Sequence, residues 1–364
     1  MKDKFRIDSH KLIFHPKRVS NFLDALGNWE KEKDIYPIYV EFSPCGACNH
    51  RCTFCGLDYM GYKNIKISLE AFKKTSKDMA ECGVKSIMFA GEGEPLLHKD
   101  LPSMAEFAKM QGIDLGLTTN FALTNTDISK SLLKNFTWIK VSLNGANAQN
   151  YAMIHKTKAS DFDKVINNLK EAIKIRKENK FKCSIGVQLL LLKENIDYVL
   201  ELAKILRDID VDYFVIKPYS QHLFSITKEH NAFKYINLES LANSLYGLQN
   251  DNFSVIFRYK TMQKKDSSKH EYKKCYSTPY FWAYVSSNGD LYSCSCYLGD
   301  DKFKFGNIND KSFRELWQSD KRKQNINFVQ NSLNISQCRV NCRMDFINSY
   351  LWELKNPNEH VNFI

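Results

Sequence analysis

Long apolar runs are missing from this sequence of 364 residues. The longest lies within Ser184 to Leu192, well short of the ~20 residues that cross a bilayer. The N-terminal Met-Lys-Asp-Lys-Phe-Arg leads into no apolar segment that would direct export. A soluble, cytoplasmic protein with no membrane partner is therefore expected. Internal repeats of solenoid period and low-complexity tracts are missing too, which excludes a repeat array. There is no nucleic-acid-binding signature and the basic residues are scattered, so no nucleic-acid partner is expected. Eleven cysteines could suggest a disulfide framework, but the number is odd and nothing addresses the chain to an oxidising compartment. Metal ligation in a reducing cytosol accounts for them better.

What is present is ample core material: 43% of the residues are hydrophobic, enough for one large domain and a smaller one. The net charge is +11, from 52 Lys and Arg against 41 Asp and Glu. That balance suits an anionic small-molecule substrate or an acidic electron donor, although a lysine-rich surface also serves solubility alone.

The most informative run is Cys45-Gly-Ala-Cys48-Asn-His-Arg-Cys52-Thr-Phe54-Cys55. Three thiolates at this spacing, Cys48, Cys52 and Cys55, can hold three corners of an iron-sulfur cube and leave the fourth iron open, an asymmetry that points to catalysis. A zinc knuckle is the alternative, since Cys45 with Cys48 and Cys52 with Cys55 are both CxxC pairs. Zinc ribbons usually separate such pairs by ~15–20 residues, and here only three residues intervene. With Phe54 before its last cysteine, the run resembles the signature of the radical S-adenosylmethionine (SAM) superfamily. The resemblance implies a 4Fe-4S cluster whose open iron chelates SAM and which cleaves it reductively to a 5'-deoxyadenosyl radical. A flavodoxin or ferredoxin-type donor would supply the electron.

From residue 36 onward, short apolar runs alternate with amphipathic stretches of helical period, as in βα units around a parallel sheet. Strands are expected at Tyr36 to Phe42, Ser86 to Ala90, Ile113 to Thr118, Trp138 to Leu143, Lys182 to Leu192 and Tyr213 to Ile216. Helices are expected after the N-cap Ser68, near Leu101 to Gln111, and over Asp127 to Asn135, Phe162 to Glu178 and Ile196 to Asp208. Six units are too few for a closed eight-fold barrel and match the partial (β/α)6 barrel of the family. The cysteine loop then lies at the C-terminal end of the first strand, where barrel chemistry sits. The expected fold class is α/β, in four parts. An N-terminal extension covers 1–35, the partial barrel 36–223, a polar bridging segment 224–274 and a small cysteine-rich hairpin and helix unit 275–364. Within the bridge a helix is expected near Leu238 to Leu248 and a strand at Phe253 to Tyr259.

After the second strand, Gly91-Glu92-Gly93-Glu94-Pro95 resembles the family's GxGEP turn. There glycine lets backbone approach a ligand, and a carboxylate or carbonyl accepts from the SAM ammonium. The fourth strand ends in Val141-Ser142-Leu143-Asn144-Gly145, similar to the segment that holds the ribose and carboxylate of SAM. Gln188 on the fifth strand joins Ser142 and Asn144 as a candidate, although a core amide bonded to backbone would read the same. Where many relatives have Asn-Gly after the third strand, this chain has Asn120-Phe121. The sixth strand ends in Ile216-Lys217-Pro218-Tyr219-Ser220-Gln221-His222, and Lys217, Tyr219 and His222 are the candidate catalytic residues at the mouth. Lys217 could instead bind a phosphate or the SAM carboxylate, and His222 could be structural.

A second set, Cys275, Cys294, Cys338 and Cys342, surrounds Asn288-Gly289, a type I′ hairpin signal between apolar β runs. The Gly-x4-Cys pattern here resembles the SPASM/twitch domains attached to radical SAM barrels. With only Cys338-x3-Cys342 beyond the hairpin, the resemblance implies one auxiliary 4Fe-4S cluster, with Cys296 able to replace one ligand. A structural zinc is the alternative. Cys82 and Cys183 read as buried thiols.

A cluster held by four thiolates has no open site and suits electron transfer. The expected activity is therefore hydrogen abstraction from a sugar-like or cyclitol substrate, phosphorylated or nucleotide-linked, giving dehydrogenation or epimerisation. A peptide-modifying maturase is the alternative. About 35 residues before the first strand, less than a small domain, would leave no room for a leader-binding domain. A non-catalytic electron-transfer protein is the third reading, for which the GxGEP turn is unneeded.

Overall fold

The computed structural model describes residues 4–267 and 269–363. The first three residues of the N-terminal run lie outside that range, as does the last residue of the expected C-terminal unit. One sheet of ten strands organises the chain. Its strands are β1 (Tyr39–Phe42), β2 (Ser86–Phe89), β3 (Asp114–Thr119), β4 (Trp138–Ser142), β5 (Ser184–Leu191), β6 (Tyr213–Pro218), β7 (Ser254–Phe257), β8 (Trp282–Val285), β9 (Asp290–Tyr292) and β10 (Lys304–Asn307). Their spatial order is β10-β9-β8-β1-β2-β3-β4-β5-β6-β7.

The six expected strands are present and parallel. Their side chains point alternately to two faces. Val40, Phe42, Ile87, Phe89, Ile139, Val141, Val187 and Ile216 are fully buried under the helices, while Met88, Gly116, Trp138 and Lys140 line a cavity on the other face. Ser68 caps its helix as expected, its hydroxyl accepting from the Ala71 N–H at 3.1 Å.

The sheet runs beyond the six βα units on both sides. β7, from the bridging segment, pairs parallel with β6, and β8 pairs parallel with β1 in register Glu41 to Tyr284. Both edges of the partial barrel are thereby covered. The β8–β9 turn differs from the expected type I′. Gly289 alone in the loop has a left-handed backbone, at φ +91, and its N–H bonds to Ser286 O while Ser286 N–H bonds to Asp290 O. That is a three-residue loop closing on a glycine. Asn288 stays out of the left-handed region because its side chain accepts from Ser286 Oγ at 2.6 Å and from Asp290 N–H at 3.2 Å.

Arg322 clamps the C-terminal part to the N-terminal loop. Fully buried, it donates to the carbonyls of Glu32, Lys33, Ile35, Pro279 and Trp317. Arg18, in the helix Pro16–Ala25, donates to the Tyr36 and Gly83 carbonyls, which seats that helix on the barrel.

Candidate active site at the barrel mouth

The loop after β1 carries Cys48, Cys52 and Cys55, and each sulfur has a donor within reach. His50 N–H lies 3.5 Å from Cys48 Sγ, His155 Nδ1 lies 3.3 Å from Cys52 Sγ, and the Tyr62 hydroxyl bonds to the Cys55 thiol. Burial pushes the Cys48 thiol up to about 12 and the Cys52 thiol well above the ordinary range, so these sulfurs hold their protons until a metal displaces them. Donors aimed at three sulfurs suit thiolate ligands of a cluster. Cys45 is apart from them, fully buried, with its thiol toward Ala47 O.

The GxGEP turn packs directly onto this loop. A Cβ on Gly93 would lie 2.1 Å from Ala47 O and 2.6 Å from Cys45 O, and one on Gly91 would strike Ser43 and Tyr284. Glycine is required at both positions. Glu94 is buried, and its carboxylate accepts from Thr119 Oγ1 at 2.5 Å, Asn120 N–H at 2.8 Å and Leu96 N–H at 3.0 Å. The structure thus places Glu94 as a tie between the ends of β2 and β3. Glu92, between the two glycines, accepts from Ser287 Oγ and N–H, joining the turn to the β8–β9 hairpin.

Ser142 and Gln188 sit side by side in the β4–β5 register. Asn144 is buried and committed: its Oδ1 accepts from Leu190 N–H at 2.7 Å and its own N–H donates to His155 Nε2 at 3.1 Å. Phe54 stands edge-on to His155 at 5.5 Å and packs with Ile154, Leu192 and Tyr219 in an apolar wall.

The three candidate catalytic residues separate. Lys217 lies inside the barrel on β6, where burial and repulsion from Lys140 and three arginines push its ammonium well below the usual range. Tyr219 is 2% exposed, with its hydroxyl donating to Gln221 Oε1 at 2.9 Å. His222 has both ring nitrogens in use. Nδ1 accepts from Phe224 N–H at 3.3 Å and Nε2 lies 3.1 Å from Ser295 O. Burial pushes it down to about 4. The structure places this neutral ring as a strut between the barrel and the second cysteine set.

That second set converges. Cys275, Cys294, Cys296, Cys338 and Cys342 line one cavity with Tyr297, Arg343 and Asn348. Its sulfurs also meet donors. Cys275 Sγ lies 3.2 Å from Thr278 Oγ1 and 3.3 Å from Asn348 Nδ2, and Cys338 Sγ lies 3.4 Å from the Tyr297 hydroxyl. Cys82 and Cys183 are buried elsewhere.

Sequence reasoning missed His155, Lys140, Glu41 and Arg343. Lys140 was within reach, since it precedes Ser142 and Asn144 by steps of two on one strand face. His155 and Arg343 arrive from distant segments, with no local signal.

Comparison with known proteins agrees with this geometry. The Radical SAM superfamily model matches residues 42–206 and the SPASM iron-sulfur cluster-binding domain model matches residues 275–343. A tungsten-containing aldehyde ferredoxin oxidoreductase cofactor-modifying protein of Pyrococcus furiosus is 25% identical over 78% of this chain and 81% of its own. A probable GTP 3',8-cyclase of Methanocaldococcus jannaschii is 29% identical over 57% of this chain and 65% of its own. Among solved structures, SuiB of Streptococcus suis bound to its precursor peptide SuiA superposes with a TM-score of 0.64 at 18% identity, covering 85% of this chain and 69% of SuiB. The structure of anSMEcpe with bound S-adenosylmethionine gives 0.58 at 20% identity over 87% and 96%. The chain carries a Radical SAM domain over residues 42–206 and a SPASM iron-sulfur cluster-binding domain over residues 275–343, and takes S-adenosylmethionine and 4Fe-4S clusters as its cofactors.

Proposed function

We propose that this radical SAM enzyme is a maturase that takes hydrogen from a residue of a peptide or protein, and that Cys48, Cys52 and Cys55 hold the SAM-binding cluster. The observation that carries the substrate reading is the strap over residues 219–227 at the mouth. Ser225 Oγ donates to Cys55 O at 3.0 Å, Asp58 accepts from the Ile226 and Thr227 N–H groups, and His222 reaches Ser295. The strap therefore spans both cysteine sets. Yet Phe224 and Ile226 are 46% and 74% exposed, an apolar edge that an extended peptide would cover. SuiB and anSMEcpe, which share this fold, have been described with peptides bound, and this supports the same reading. The sugar or cyclitol substrate expected from the sequence is the weaker one.

Bound at the mouth, the cluster and S-adenosylmethionine supply the hydrogen-abstracting radical. The chain's own residues shape its use. Phe54, Ile154, Leu192 and Tyr219 form a wall that excludes water from the reacting centre. The four thiols Cys275, Cys294, Cys338 and Cys342 would hold the auxiliary cluster, and a flavodoxin or ferredoxin-type protein would deliver the electron.

The test is peptide-stimulated 5'-deoxyadenosine formation at subsaturating peptide. The double variant Phe224→Ser, Ile226→Ser should lose at least tenfold, and unchanged stimulation would remove the reading. A small anionic substrate is the second reading, favoured by the cations of the barrel interior and by relatives named for a cofactor and for GTP.

A further inference from the structure

Inside the barrel, on both sides of the layer formed by Ser142 and Gln188, the chain gathers positive charge that the site described above leaves unused. Lys140 precedes Ser142 by two residues on β4 and so faces the same interior, one layer nearer the barrel floor. Arg343 enters from the loop after Cys342, and its Nε lies 3.0 Å from Glu41 Oε2 on β1. Lys140 and Arg343 line one cavity of about 500 Å³ with Tyr39, Met88 and Trp138. Lys217 is not among the residues that line this cavity; on β6 it stands two residues beyond Val215, the partner of Gln188, and so one layer nearer the mouth, where Lys140 and Arg343 repel its ammonium.

The charges do not balance. Among the described residues Glu41 is the carboxylate that acts most strongly on Lys140, against repulsion from Arg343, Arg258 and Lys11, and it is already paired with Arg343. Arg258 has its own partner in Asp8. Among the described residues neither Lys140 nor Lys217 forms an ion pair, and the Lys140 ammonium sits over the Trp138 ring at 5.5 Å. Holding two lysines in a protein interior without counterions costs several kcal/mol in general. Apolar residues at these two positions would pack the interior at no such cost. Burial and the neighbouring cations push the Lys140 ammonium down to about 7, and an arriving anion would restore its proton.

We infer that this interior is an anion subsite, in which Lys140 and Arg343 from the floor and Lys217 from the layer nearer the mouth take a carboxylate or phosphate group borne by the substrate and so aim the carbon above it at the mouth. The inference rests on the mouth being where the substrate loses hydrogen, and it adds a chemical class. The substrate is anionic, through an acidic side chain if it is a peptide or a phosphate if it is a small molecule. The cavity is of a size that ligand pockets commonly have.

The experiment is calorimetric titration of the full-length, anaerobically reconstituted protein with inorganic phosphate and, separately, with glutarate. One equivalent should bind to the wild type. The double variant Lys140→Met, Lys217→Met should lose at least tenfold in affinity, and Lys140→Arg should restore most of what Lys140→Met alone loses. Tighter glutarate binding assigns a carboxylate and tighter phosphate binding a phosphorylated substrate. Absence of binding to the wild type overturns the inference, as does equal affinity in a Met variant whose circular dichroism is native. SAM cleavage is measured on the wild type in parallel. If cleavage fails while anion binding responds to the lysines, the functional reading falls and the subsite stands. If cleavage proceeds and binding ignores the lysines, the subsite alone falls.

Discussion

His155 Nδ1 lies 3.3 Å from Cys52 Sγ, across 103 residues of sequence. The other side of the ring fixes the proton's place, because Nε2 accepts the Asn144 backbone N–H at 3.1 Å. With Nε2 accepting, Nδ1 carries the hydrogen and points it at the sulfur. Such a bond strengthens as charge accumulates on a cluster, so it favours the reduced state. If the difference is about 1 kcal/mol, it corresponds to roughly 40 mV for one electron. His155→Leu should lower the midpoint potential by that order in an electron paramagnetic resonance titration. An unchanged potential would show that the ring only packs.

The GxGEP turn gives a sharper structural test. Gly93→Ala places a methyl 2.1 Å from Ala47 O, backbone that cannot swing away. The cost should be about 1–3 kcal/mol, and the displaced loop carries the three cysteines. The variant should melt earlier and retain less iron after reconstitution. Full iron with an unshifted Tm would contradict this packing.

The second cysteine set holds five thiols where a cube needs four. Cys275→Ala, Cys294→Ala, Cys338→Ala and Cys342→Ala should each lose the auxiliary cluster and about half of the iron, and Cys296→Ala should keep it. Iron analysis of the five variants decides the ligand set, and loss in Cys296→Ala would make that thiol a ligand.

Lys140 makes stability depend on pH. Its ammonium is pushed down to about 7 by burial first and then by Arg343, with Glu41 opposing and Arg258 and Lys11 adding repulsion. Between that value and the ordinary lysine range the unfolded chain binds a proton that the folded chain does not, so this group makes stability rise with pH across the window and level off below about 7. Lys140→Met should therefore raise stability by about 1–4 kcal/mol near neutrality, with the gain shrinking toward pH 10. A gain constant with pH would place the effect in packing instead.

Much of the site is legible in short-range spacing. The three cysteines, the paired glycines and the hairpin before Cys294 are each carried by a few consecutive residues, and the parallel strands by a period of two. The partners that give those residues their setting are not. His155 comes from the helix Ala148–His155 and Arg343 from beyond the hairpin, and tertiary structure alone brings them in. His222 shows the converse. Beside a strand end its imidazole suggests catalysis, yet backbone groups of Phe224 and Ser295 occupy it. The β7 and β8 pairings are equally hidden, since sequence gives strands but not their neighbours.

The most direct measurement is 5'-deoxyadenosine formation by the reconstituted, reduced protein, with acidic peptides in one pool and nucleotide sugars and cyclitols in another. Stimulation by the peptides is the predicted result. Stimulation by the small molecules alone would contradict the maturase reading.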